Sequence, residues 1–451
     1  MGEQHMRRAT MRSLNRCIAV TVAGLALGAV GCGGGDSKSA DTRRVVPAGA
    51  TATKPVTITV WHGNVDEAAA AMKKLATAFH ATHPNITVKT EQGTPSDQMA
   101  TKMATVLSTS NFPDIAYLFG TDVPALARSA KAVDLTDAVG DPSFGWNDFY
   151  VGERETATVG GRVFGIPAVA GNLGLVYNKT LFANAGVPVP TSDWSWDDYR
   201  AAAKRLTDGG QKIFGTGYPI AGDEDTVWRF WPMVWQQGGK AISDDEKSAP
   251  FDGPEYAKAL ELLRAMALDD KSLYVDANSD AIYELFARGK IGMVITGSFA
   301  LETFRDAKVD YGVVQIPAFG GDHQTVGGND NWMVFDNGAD RAAASAEFLK
   351  FLTAPEQDAA WSVALGNLPI RGATQKTAAW KKATRNFPGV QAFADNFANT
   401  KQKRPQTIAY PAYSLALGEQ IAAVLTGQSS VADALASAKQ QADAALADAA
   451  G

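Results

Sequence analysis

Thr57-Ile58-Thr59-Val60-Trp61 alternates polar and apolar side chains, the period of a half-buried strand, and this stretch opens the globular part of the chain. A helix follows over residues 66–80, with Met72, Leu75, Ala76 and Phe79 on one face, and Pro84 ends it. Residues 86–90 read as a second strand. Ser96 is expected to cap a helix carrying Met99, Met103, Val106 and Leu107, and residues 113–118 read as a third strand. Strand, helix, strand, helix, strand is the pattern of an α/β domain with a largely parallel sheet.

Downstream, residues 164–178 read as strand again. Helical patterns cover 196–206, 228–237, 254–268, 281–288, 342–352, 415–425 and 431–446, with short strands at 291–295 and 311–316. No internal repeat is present, and residues 237–250 read as an exposed loop.

Upstream lies a segment of different character. Arg7, Arg8, Arg12 and Arg16 precede an uncharged run over 17–31, which is short for a membrane span and fits the apolar region of an export signal. Gly31-Cys32 and a Gly-rich, polar tether follow, and this resembles the bacterial lipobox, although Ala29 stands where that pattern prefers a branched residue. Cleavage there makes Cys32 the candidate lipidation site, 1–31 a signal peptide and 32–54 a lipidated cysteine with a flexible tether. Removing 1–31 takes four arginines and one glutamate from a chain with 42 basic and 48 acidic residues, leaving a net charge of about −9. That sign disfavours nucleic acid and anionic lipid as partners. One cysteine remains, so no disulfide within the chain supports the fold.

Several segments, in order, resemble the extracellular solute-binding proteins of bacterial ABC importers, in the large carbohydrate-binding family that includes maltose-binding protein. They are Ile58-Thr59-Val60-Trp61-His62-Gly63, His83-Pro84-Asn85-Ile86, Pro113-Asp114-Ile115, Gly165-Ile166-Pro167, Tyr177-Asn178-Lys179, Trp196-Asp197-Asp198, Gly289-Lys290-Ile291-Gly292-Met293, Thr296-Gly297-Ser298-Phe299, Gly327-Gly328 and Ala346-Glu347-Phe348-Leu349. The resemblance implies a two-lobed periplasmic-binding-protein-like α/β fold, each lobe a mainly parallel sheet flanked by helices, with the ligand cleft between them. The crossings are expected near 167–172, 311–319 and 351–358. Lobe one then takes 55–167 and 319–353, and lobe two takes 168–318 and 354–446. The implied function is a monomeric sugar receptor outside the cytoplasm. It closes on its ligand, delivers it to membrane permease subunits, touches the membrane through lipid alone, and needs neither cofactor nor metal.

A saccharide offers a C–H face and a ring of hydroxyls, so its site needs aromatic platforms and planar donors and acceptors. Trp61, His62 and Asn64 stand at the end of the first strand, with packing as the alternative for Trp61. Phe119, Thr121 and Asp122 follow the third strand, where Thr121 or Asp122 could instead cap a helix. Asn172 lies beside the first crossing. Trp228, Trp231 and Trp235 share one helix face; Trp228, nearest the expected helix start, matches an aromatic position of the family's sugar stack, and the other two read as packing. Phe299 matches another family platform or is buried against its lobe. Asn329 and Asp330, in Gly327-Gly328-Asn329-Asp330, either receive hydroxyls or form a plain turn. Arg371 could grip the solute or pair on the surface, and Tyr410 and Tyr413 precede the C-terminal helices.

Rival readings are a receptor for a polyol, a glycerol phosphate diester or a peptide, and a secreted glycoside hydrolase with two carboxylates across the bond. A phosphate calls for clustered basic residues, and Arg371 is the one among the candidates. No phosphate-binding Gly-rich loop, His-Glu-x-x-His or Gly-x-Ser-x-Gly motif is present. Asp223-Glu224-Asp225 is acidic enough for weak calcium binding but lacks an EF-hand pattern.

Overall fold

The computed structural model describes residues 43–450; the expected signal segment and Cys32 lie outside the described residues, whereas residues 44–53 of the expected tether pack on the first lobe, because Val46 and Ala52 are buried there and the Val46 N–H donates to the Asp134 carbonyl at 3.0 Å. Ten strands form two five-stranded sheets. They are β1 (Val56–Trp61), β2 (Ile86–Glu91), β3 (Ile115–Phe119), β4 (Gly165–Val169), β5 (Gly174–Asn178), β6 (Phe214–Pro219), β7 (Leu273–Asp276), β8 (Ile291–Thr296), β9 (Tyr311–Val314) and β10 (Asp330–Val334). The first sheet runs β2-β1-β3-β10-β4 and the second β9-β5-β8-β6-β7. In each sheet one strand opposes the other four: β10 is antiparallel to β3 and β4, and β5 to β8 and β9. These two are the strands that arrive from the other sheet, so the chain enters each from the far end.

The expected strands form because their side chains leave water on both faces. β4 and β5 are buried at every position, which requires layers of helix above and below. α1 (Asp66–Thr82) buries Met72, Leu75, Ala76 and Phe79, as its spacing indicates. α2 (Ser96–Val106) begins at Ser96, which is its first residue and not its cap. The expected helix over 228–237 is two short ones, Glu224–Trp228 and Trp231–Trp235, because Pro232 has no N–H to give the Trp228 carbonyl. Trp228 therefore ends a helix where the sequence suggested a start.

The sheets are joined by residues 170–173, between β4 and β5, and by 315–329, between β9 and β10. The later course of the chain differs from expectation. α3 (Pro355–Ala364) packs on α1, and Ala378–Asn386 packs on α3. The chain reaches the second sheet near Pro388, whose carbonyl accepts the Tyr311 hydroxyl at 2.9 Å, and Val390–Asp395 packs on β9. Residues 354–386 thus stay beside the first sheet, and the passage expected at 351–358 lies later, because Trp361 and Trp380 bury themselves in the core that α1 covers. α4 (Tyr410–Leu425) and α5 (Val431–Ala450) pair with each other and complete the second lobe.

Candidate functional site

Parallel strands deliver their C-terminal ends to one edge, and that edge is where α/β sheets hold ligands. β1 and β3 are parallel neighbours, so His62-Gly63-Asn64 and Phe119 to Asp122 emerge side by side. β10 runs the other way, and its first residue, Asp330, pairs with Phe119, the last of β3. Three candidate groups far apart in sequence therefore meet at one edge. Two glycines permit the close approach: a Cβ on Gly63 would lie 2.5 Å from the Ser96 amide nitrogen, and one on Gly120 would lie 2.7 Å from the Asn329 carbonyl oxygen. The Gly120 N–H donates to that carbonyl at 2.8 Å.

His62 is buried and neither ring nitrogen has a hydrogen-bond partner; burial lowers its pKa. The Asn64 side-chain nitrogen is likewise unpartnered. Trp61 is tied down by its indole N–H, which donates to Glu91 at 2.8 Å, and by Lys102, 3.9 Å from its ring centre. The Tyr117 hydroxyl donates to Asp330 Oδ2 at 2.5 Å.

The second lobe supplies aromatic rings. Trp228 and Phe299 stack with centroids 6.3 Å apart and planes 28° apart. Trp228 is nearly buried, whereas Phe299 remains 38% exposed. The Trp228 indole N–H donates to the Gly327 carbonyl at 3.1 Å, and a Cβ on Gly328 would approach the Trp228 ring to 2.9 Å. The Gly327-Gly328 turn therefore lies against this ring.

Charge concentrates where the lobes meet. Asp122 is pushed up to about 7 by burial and by the neighbouring carboxylates of Glu224 and Asp330, against the pull of Arg404. Asp330 rises to about 6 through burial, opposed by the Tyr117 hydrogen bond and by Arg404. Arg404 Nη1 lies 2.7 Å from Glu224 Oε1, and Glu224 also accepts the Tyr410 hydroxyl at 3.1 Å and the Ser414 hydroxyl. Glu153, buried on the helix Val151–Thr156 with Oε2 unpartnered, Glu224 beside Asp122, and Arg404 were not singled out as site residues from sequence. Glu224 sat in an acidic run, and nothing local marks the other two.

Other candidates are engaged elsewhere. The Asn172 amide donates to the Phe393 carbonyl at 2.9 Å and its oxygen accepts from Asn396 at 3.2 Å, so this buried side chain fastens the first crossing to residues 393–396. Arg371 lies 3.9 Å from the Phe149 ring centre, buried; Nε and Nη2 have no partner, so it is not a surface ion pair. Tyr410 and Tyr413 are core residues whose hydroxyls bond Glu224 and the Ala241 carbonyl. Trp231 and Trp235 stack in the core. Among the described residues no helix is long and apolar enough to cross a membrane.

Two α/β lobes, joined by crossing segments and meeting at a polar edge, define a two-lobed binding protein of the kind that serves importers. Residues 62–359 match the family description of bacterial extracellular solute-binding proteins, and the chain belongs to that family. It is similar to the cyclic α-maltosyl-1,6-maltose binding protein of Arthrobacter globiformis, with 28% identity and a TM-score of 0.75 over 87% of this chain and 100% of that one. It is also 26% identical to the sn-glycerol-3-phosphate-binding periplasmic protein UgpB of Escherichia coli over 71% of this chain and 76% of that protein. The structure of UgpB from Mycobacterium tuberculosis in complex with glycerophosphocholine shares the fold, with a TM-score of 0.79 at 19% identity over 87% of this chain and 99% of that one. The family is one of binding proteins and places the chain outside the cytoplasm.

Proposed function

We propose that this chain is the substrate-binding component of an ABC importer, capturing a mono- or oligosaccharide between its lobes and handing it to a membrane permease. The observation that carries the reading is the pairing of a Trp228–Phe299 ring stack on one lobe with Asp122, Asn329 and Asp330 at the sheet edge of the other. Rings cover the C–H face of a sugar while carboxylates and amides receive its hydroxyls. His62 and Asn64, with their unpartnered nitrogens, supply further contacts. Phe119 flanks them, and Arg371, buried over the Phe149 ring with Nε and Nη2 unpartnered, is the further basic candidate.

Lobe one comprises residues 44–169 and 330–386, and lobe two 174–314 and 390–450. Rotation about the segments between them brings both walls onto the ligand, and the closed form is favoured by solute that touches both. The protein acts as a monomer without a cofactor. Acylation of Cys32 holds it at the membrane, which raises its effective concentration at the permease. Growth with labelled palmitate tests the anchor: label is expected in the parent and absent from Cys32→Ser, and equal labelling contradicts it.

A glycerol phosphate ligand, the solute of one relative, fits the site less well, because Asp122, Asp330 and Glu224 repel a phosphate and Arg404 is already paired with Glu224. Competition calorimetry with saccharides and glycerol 3-phosphate separates the two readings.

A further inference from the structure

The Trp228–Phe299 pair is backed by a buried network centred on Arg229. This side chain is 4% exposed, and its guanidinium binds the three elements that carry the two rings or press on them. Nη1 donates to the Asp225 carbonyl at 2.7 Å and to the Asp225 carboxylate, in the helix that Trp228 ends. Nε donates to the Ile295 carbonyl at 3.2 Å, in β8, whose end leads into Phe299. Nη2 donates to the Tyr283 hydroxyl at 2.7 Å, in the helix Ser279–Ala287. Tyr283 in turn meets Phe299 edge to face, with centroids 6.3 Å and planes 66° apart. The guanidinium carbon itself lies 5.6 Å from the Trp228 ring centre.

Neither ring is fixed by its own segment. The helix that ends in Trp228 has five residues, far fewer than a helix needs to persist in water by itself. Phe299 is the exposed member of the pair, and its ring lies over Gly297, where an added Cβ would come within 2.4 Å of it. The tilt of one ring against the other therefore depends on what stands behind them. That tilt matters because centroids 6.3 Å apart put the rings in mutual contact, so a sugar lies across the pair and not between its members.

Arginine suits this place because its donors lie in one rigid plane and reach Asp225, Ile295 and Tyr283 at once, which a lysine ammonium does not reproduce. Resting on the reading that these rings cover a sugar, we propose that Arg229 is a positioning residue of the solute site. Through Asp225, Ile295 and Tyr283 it sets the tilt of Trp228 against Phe299, and so the affinity for the sugar, without touching the sugar itself. A buried ion pair that served stability alone would leave the affinity of the folded protein as it is.

Two measurements on the purified full chain test this. Calorimetry takes glucose, maltose, maltotriose, trehalose and cellobiose, and carries the tightest binder through the variants. Arg229→Lys and Tyr283→Phe are each expected to weaken it about three- to tenfold at unchanged stoichiometry, the range that one misplaced aromatic contact spans. Arg200→Lys, which alters the pair with Asp270 elsewhere in the same lobe, should leave affinity as in the parent. In a Phe299→Ala background, adding Tyr283→Phe should change affinity by less than about twofold, because the ring it acts through is gone. The second measurement needs no solute: the fluorine resonance of 4-fluorophenylalanine in place of Phe299 should move in Arg229→Lys and Tyr283→Phe and stay in Arg200→Lys. If Arg229→Lys fails to fold, Tyr283→Phe, which removes a single oxygen, decides. Unchanged affinity and resonance in Tyr283→Phe, or an undiminished effect of that substitution in Phe299→Ala, overturns the positioning role and leaves the sugar receptor standing. A parent that binds none of these sugars, with the resonance moved as expected, overturns the sugar and leaves Arg229 as the residue that sets the rings.

Discussion

The Trp228 indole N–H donates to the carbonyl of Gly327 at 3.1 Å, which fastens the aromatic wall of the second lobe to the turn that carries Asn329 and Asp330. One ring thus stacks on Phe299 and steadies the segment that carries Asp330. Trp228→Phe retains the stack on Phe299 and loses the N–H; Trp228→Ala loses both. Trp228→Ala should weaken saccharide affinity about tenfold or more and lower the melting temperature, since truncating a buried Trp costs about 3–5 kcal/mol. Trp228→Phe should fall between Trp228→Ala and the parent in calorimetry. Unchanged affinity in both removes Trp228 from the site.

Asp330 accepts the Tyr117 hydroxyl at 2.5 Å, a bond that favours its ionised form. Tyr117→Phe should raise the Asp330 pKa further and cost about 1–3 kcal/mol of stability, because an acceptor is left short of a donor in a dry place. Asp330→Ala should lower saccharide affinity about tenfold, as loss of a charged hydrogen-bond acceptor does. Titration of affinity against pH for Tyr117→Phe should show the acid limb displaced upward.

Asp122 titrates near 3.8 when exposed and near 7 in the fold. Between those values the folded state holds a proton that the unfolded chain has lost, so this group's contribution declines as pH rises from about 4 to about 7. Asp122→Asn removes that decline. The gain in melting temperature of this variant over the parent should be larger at pH 8 than at pH 5, and an equal gain at both would contradict the assignment.

Asn172 acts through structure. Asn172→Ala strips a donor from the Phe393 carbonyl and an acceptor from Asn396, both in a buried crossing, and should cost about 1–3 kcal/mol. Thermal unfolding should record a drop of a few degrees. Selectivity among sugars should not change, because Asn172 is fully buried and bonds within the crossing.

The strand-helix alternation from Val56 to Phe119 was legible because each element's apolar period is set by its own sheet or helix face. The meeting of β1, β3 and β10 at one edge placed His62, Asn64, Phe119, Asp122, Asn329 and Asp330 together; the family resemblance implied crossings near 167–172 and 311–319, and the connections between the sheets run over 170–173 and 315–329. The return of the chain at Pro388 was not legible, since Trp361 and Trp380 carry no local sign of which lobe buries them. The break before Pro232 was visible in principle, because a proline four residues after Trp228 deprives its carbonyl of a donor. Glu153 and Arg404 escaped notice because their significance is long-range: Arg404 meets Glu224 across 180 positions, and Glu153 is unusual only for what it fails to touch. The structural role of Asn172 escaped notice for the same reason, its partners lying more than 220 residues away.

The most direct test of the receptor reading is thermal unfolding of the purified protein against mono-, di- and oligosaccharides, polyols, glycerol phosphates and short peptides. A solute at about 100 times its dissociation constant adds about 2.7 kcal/mol, which raises the melting temperature of a chain this size by a few degrees. A rise with one class of saccharide, lost in Asp330→Ala, is the expected result. A rise with a peptide or glycerol phosphate and none with any sugar would contradict it.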